Sequence, residues 1–273
     1  MIGLGALLTT AQASAQPVHL QIKPHVGDTF SVRLDQKVEM TGVPSGCATG
    51  YSGSRKTNPE PATRACTEST RQMTTEMEVF SKAIVRRVSS RGSVVLAVTD
   101  SIRSAVSSGA TRTRPRRVTS PKSTIEIQIA PDGGAEVVDA DASPELRAIF
   151  GQMPATLSRE PVEVGDTWQK QMRIPLSMEA GASGTVRATF RLDSLDRNGD
   201  VAFISMKGTL SHDHADSELD GWISGTIRLD RRRAWITDTR AVIDVESSVK
   251  QATGAPMRVR TKITQTLKAR AVR

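Results

Sequence analysis

Apolar and polar residues alternate along most of this chain. Phe30, Val32, Leu34, Val38 and Met40 occupy even positions, with polar residues mostly between them. Met73, Thr75, Met77, Val79, Ala83 and Val85 hold the odd positions of the next segment. Val94, Leu96, Val98, Ile102 and Val106 follow, then Ile125, Ile127 and Ile129. The second half repeats the rhythm through Trp168–Met178, Val186–Leu192, Ile223–Leu229, Ala241–Val249 and Met257–Leu267. A period of two sends alternate side chains to opposite faces, as in half-buried antiparallel strands. The pattern predicts an all-β chain of about eleven strands, several longer than the usual length. A single sheet buries its own apolar face only by curling. The expected fold is therefore a strongly curved antiparallel sheet or unclosed barrel, with one short helix.

The turns between the stripes come in matching pairs. "VGDTF" at Val26–Phe30 is echoed by "VGDTW" at Val164–Trp168, and "SSRGS" at Ser89–Ser93 by "DRNGD" at Asp196–Asp200. "IQIAPDGGAEV" at Ile127–Val137 has its counterpart in "IRLDRRRAWIT" at Ile227–Thr237. Gly-Asp is turn chemistry, and the aromatic residue two positions later begins an alternating strand. Asp28 and Asp166 thus read as turn-capping groups and not as paired catalytic carboxylates. The offset between the halves falls from 138 residues at Gly27/Gly165 to 107 at Gly92/Gly199 and 100 at Ile127/Ile227. One β unit present twice, with two insertions in its first copy, accounts for that drift. The copies are expected over 16–142 and 161–273, packed as one domain.

Between them, 143–160 breaks the strand rhythm. Ser143 is placed as an N-cap, Pro144 at the first helical position and Glu145 in the first turn. Leu146, Ile149, Phe150 and Met153 then fall at helical spacing before Pro154 ends the run. The expected element is a short amphipathic helix lying across the concave face of the sheet.

The first fifteen residues, "MIGLGALLTTAQASA", carry an apolar stretch that ends in Ala13-Ser14-Ala15, the small-residue pattern of a signal-peptide cleavage site. The chain is therefore expected to be exported, periplasmic or secreted, and soluble once cleaved before Gln16. Cys47 and Cys66 agree with an oxidising compartment. They are the only cysteines, both in a Gly/Ser/Thr/Pro-rich insertion, and are expected to form a disulfide. Closing a loop of that size stabilises by about 3 kcal/mol in chain-entropy terms.

Motifs for chemistry are sparse. There is no G-x-S-x-G elbow, phosphate-cradling glycine loop or dinucleotide fingerprint. "SHDHADSELDG" at Ser211–Gly221 places His212 and His214 on one side of an extended segment, near several carboxylates. Their spacing matches no zinc or calcium loop, so the stretch reads as a solvated acidic hairpin loop, with metal binding as the lesser alternative. No cofactor and no enzymatic activity are expected. The formal charge of +8 raises nucleic acid as a partner, but export argues against it. Arg112, Arg114, Arg116 and Arg117 lie in a Pro/Thr-rich loop and Arg231–Arg233 at a hairpin tip. The default is solvated turns; the functional alternative is contact with an anionic cell-envelope surface.

The "VGDT[FW]" strand starts, the "GTIRLDRRRAWI" hairpin at Gly225–Ile236 and the two-copy layout resemble a bacterial secreted family of unknown function. The strand count with an intervening helix is also similar to the half-barrels of LolA-like lipoprotein carriers. Carriers of that class hold acyl chains in an apolar concavity beneath helices. The resemblance implies a cavity lined by the inward stripes and covered by Leu146, Ile149, Phe150 and Met153. The expected function is an exported, non-enzymatic module that binds an apolar or amphipathic ligand. The alternative is a cell-envelope interaction protein with a filled interior and contacting basic loops. Oligomeric state is left open.

Overall fold

The computed structural model describes residues 16–43, 71–108, 111–112, 116–118, 123–139, 155–175, 183–212, 219–249 and 257–272. Its strands are β1 (Thr29–Val43), β2 (Arg71–Ser89), β3 (Gly92–Ser108), β4 (Thr111–Arg112), β5 (Arg116–Val118), β6 (Ser123–Ile129) and β7 (Ala135–Val137). The second half contributes β8 (Thr167–Pro175), β9 (Ser183–Leu195), β10 (Val201–His212), β11 (Leu219–Asp230), β12 (Trp235–Val249) and β13 (Met257–Ala271). Eleven of them cross one antiparallel sheet in the order β7-β6-β3-β2-β1-β13-β12-β11-β10-β9-β8. β7 and β8 are its edges, so the sheet is not closed by strand pairing. The all-β, unclosed architecture read from the alternation is the one observed.

The two faces differ in character, one mainly apolar and the other mainly polar. On one, Leu34 pairs with Val79 and Leu267, Val38 with Thr75 and Ile263, and Ile243 with Ile263 and Ile223. On the other, charges pair across and along strands: Arg33 bonds Asp35 at 2.8 Å and Glu78 at 3.0 Å, and Lys37 bonds Glu39 at 2.7 Å. One stripe is corrected. Val94, Leu96 and Val98 do not share a face with Ile102, because the β2–β3 register shifts between Phe80 and Ser81. Before the shift Val95 and Ala97 sit opposite Val85 and Ala83; after it Ile102 sits opposite Val79. A bulge moves a strand by one residue and thereby exchanges its faces.

All four hairpin turns described, β2–β3, β6–β7, β9–β10 and β11–β12, lie at one end of the sheet, with the starts of β1 and β8. The two echoed motifs form the same turn there. Asp28 Oδ2 accepts from the His25 amide at 2.8 Å, and Asp166 Oδ2 accepts from the Glu163 amide at 2.8 Å. The Gly27 amide donates to Val85 O and the Gly165 amide to Leu192 O. Both glycines have positive φ, 89° and 100°, which a side chain would strain.

This end is packed shut. Phe30 stacks on Trp235 at 4.5 Å and Trp168 on Phe190 at 5.8 Å. An unforeseen strap, residues 16–25, inserts Leu20, Ile22 and Pro24 into the same core. The Ile22 amide donates to Pro131 O, the Lys23 amide to Ala234 O, and Val18 bridges Val162. Leu157 and Val162 complete the plug.

Glycines let the sheet bend. A Cβ on Gly225 would stand 2.4 Å from Arg240 O, and one on Gly208 or Gly221 would stand 2.6 Å from a neighbouring carbonyl. Missing side chains on β10 and β11 thus admit the close backbone approach that tight curling requires.

Candidate functional site

The inner wall continues well beyond the plug. Toward the opposite end Leu34, Val38, Met40, Met73, Met77, Val79 and Ile102 line one side, and Ile223, Ile243, Val245, Ile263 and Leu267 the other, all only half-buried. The register places them on the same face as the buried Phe30, Ala83, Ile227 and Ala269. Sheet pairing satisfies the wall's backbone polar groups, so the apolar surface faces inward without a polar penalty. Gln36 and Gln265, paired in register, give it a polar rung, and Thr75, Ser104, Thr239 and Thr261 add hydroxyls to the same face. We call this inner face the cup: it is stopped at one end by the plug and carries mostly aliphatic side chains toward the other.

The cup's two edges meet at the closed end through a latch the sequence reading missed. Asp132, on the β6–β7 turn, is 7% exposed at its side chain and lies 3.8 Å from Lys170 Nζ on β8, across the unpaired seam. Arg159 Nε donates to Asp132 Oδ2 at 2.9 Å and the Gly134 amide to Oδ1 at 3.3 Å. Asp132 O accepts from the Thr156 and Leu157 amides, and Trp168 Nε1 donates to Thr156 O at 2.9 Å. Burial raises the Asp132 pKa, but the Arg159 hydrogen bond, the Gly134 amide and the nearby cations outweigh it, so the net shift is downward. Lys170 occupies an inward position of an edge strand, a placement that also discourages edge-to-edge pairing. Its signal was a charge inside the apolar stripe that starts at Trp168.

The basic segment differs from expectation. Arg112 lies in β4 opposite Ser107, and Arg116 and Arg117 lie in β5 opposite Ser104 and Arg103. β6 covers β3 only from Ser93 to Thr99, and the remaining β3 edge recruits these short strands, so they are not part of a free loop. Arg114 lies outside the described residues. The Arg231–Arg233 tip is engaged internally: Arg231 Nη1 donates to Gly199 O, Arg232 pairs with Asp200 at 3.9 Å, and Arg233 pairs with Asp230 at 2.9 Å. His212 ends β10, while His214 lies outside the described residues. Cys47, Cys66, Leu146, Ile149, Phe150 and Met153 also fall outside them, as do residues 1–15.

Comparison with known proteins adds two findings. Residues 142–236, which include the second VGDT turn and the Gly225–Ile236 hairpin, match a family of unknown function (DUF6263). A solved structure titled "Lipid-protein interactions in lipovitellin" shares the fold with a TM-score of 0.54 at 9% identity. The match covers 92% of this chain but 26% of that one, so the chain spans about a quarter of its length. No curated protein matches.

Proposed function

We propose that the protein is an exported, non-enzymatic binding module that holds an apolar or amphipathic ligand, such as an acyl chain, in its cup. The observation that carries this reading is the aliphatic inner wall, left half-buried beyond a fully packed plug. Burying a Leu, Ile or Val side chain stabilises by about 1.5–3 kcal/mol, so a wall of them is a large unrealised gain that a ligand collects. The fold likeness to a structure concerned with lipid–protein interactions points the same way. In this reading Leu146, Ile149, Phe150 and Met153 form a lid over the open end. The tandem strand order and the two identical turns support duplication of one β unit as the source of the architecture.

Binding of a fluorescent fatty acid tests the proposal. Ile263→Glu, facing the cup, is expected to weaken binding at least tenfold while the β signal in circular dichroism persists. Phe150→Asp should weaken it too if the lid is in place. Absence of saturable binding to the unaltered protein would overturn the proposal and favour the rival, a cell-envelope contact protein with a filled interior.

A further inference from the structure

The outer face of β8–β10 carries a second surface, separate from the cup. Gln169, Gln171, Arg187, Thr189, Lys207 and Thr209 line a groove of about 750 Å³. Register sets these side chains in two rungs. Gln169 pairs with Thr189, which pairs with Lys207; Gln171 pairs with Arg187, which pairs with Thr209. β11 extends the rungs with Ser224 and Trp222. At about 4.8 Å between strands the grid is about 14 Å long. It therefore presents amides, hydroxyls, two cations and an aromatic ring.

Three features narrow the ligand. No carboxylate lines the groove. Neither Arg187 nor Lys207 makes an ion pair or side-chain hydrogen bond with a described residue, whereas Arg33, Arg103 and Arg260 on the same face each meet a carboxylate. Trp222 is 45% exposed at the end of its rung, while Trp235 is buried and Trp168 half-buried. Cations without partners among the described residues favour an anion, with little of the desolvation cost of a buried site. Neutral amides and hydroxyls interleaved with them suit a ligand with many hydroxyls of its own. An exposed indole offers its face to a sugar ring.

We propose that this groove binds an acidic polysaccharide, its carboxylates on Arg187 and Lys207 and a sugar ring on Trp222. An exposed, mostly polar grid fits an elongated hydroxylated chain better than a lipid surface, which needs apolar side chains that insert.

The test uses the full chain with a galacturonic acid oligosaccharide as probe, followed by calorimetry and by tryptophan fluorescence, which reports chiefly on the one exposed indole. Saturable binding that weakens with added salt is expected, with no binding of a neutral maltooligosaccharide of equal length. Arg187→Gln with Lys207→Gln should weaken binding at least tenfold, and Trp222→Ala should weaken it and abolish the fluorescence change. Fatty-acid binding in the cup should be unchanged in all of these variants, which separates this site from the first. Absence of binding to the acidic probe, or binding that the double variant leaves intact, would overturn the proposal. Binding to phosphatidylglycerol vesicles, without binding to the acidic probe, would make the face a membrane contact and overturn it as well.

Discussion

Replacing Asp132 with Ala should loosen the seam before it unfolds the sheet. The carboxylate loses three partners. The Arg159 bond, although 2.9 Å long, involves a side chain 79% exposed, so screening holds its contribution to about 1 kcal/mol. The Gly134 amide loses an acceptor, about 1 kcal/mol. Lys170, 20% exposed on an apolar face, is left without its counter-charge, about another 1 kcal/mol. The expected total is about 2–3 kcal/mol by urea denaturation. What identifies the latch is location: amide exchange should quicken in 130–137, 155–159 and the start of β8. Asp244→Ala is the control. That carboxylate is as buried and receives Arg260 through bonds of 2.8 and 2.7 Å, but it joins adjacent strands β12 and β13. It should cost similar stability and leave the seam unchanged. Both carboxyls titrate below the ordinary range, Asp244 chiefly through the Arg260 hydrogen bond. Their stabilisation is therefore complete above the unfolded carboxylate pKa and is lost as pH falls through the lower folded values. Each variant should flatten the acid limb of the stability curve. An Asp132 variant with unaltered seam exchange, or with less than about 0.5 kcal/mol of lost stability, would refute the latch.

Gly225→Val forces a Cβ to 2.4 Å from Arg240 O and 3.0 Å from Met206 Cε, and should destabilise by about 3 kcal/mol or more in thermal melts. Gly27→Ala meets nothing within 4 Å and should cost only the strain of positive φ, about 1 kcal/mol. Asp28→Ala and Asp166→Ala remove equivalent turn bonds and should each cost about 1 kcal/mol, equal within error; a large inequality would show that the two turns do different work.

Local signals carried most of the fold. The alternation of β1, the Gly-Asp turns and Asn198-Gly199 each act over a few residues, and each lies where its pattern placed it. Relations between distant segments did not show. The register shift at Phe80/Ser81 exchanged the faces of β3 without any Gly or Pro to announce it. The strand pairs at Arg112 and Arg116–Val118 exist because β6 is shorter than β3, a mismatch visible only once both are paired. Leu20 and Ile22 alternate like a strand but belong to a strap, since their hydrogen bonds go to turns at Pro131 and, through Lys23, at Ala234. The wall of the cup was legible in its stripes. The outer groove was not, because Gln169, Arg187 and Lys207 become neighbours only through the β8–β9–β10 register.

Native mass spectrometry of the whole chain, purified without detergent, tests the cup most directly. Ligand binding predicts a discrete adduct with the mass of a lipid or other apolar molecule, released on denaturation and absent or diminished in Ile263→Glu. A single mass equal to the polypeptide alone, unchanged after incubation with fatty acid or phospholipid, would contradict it.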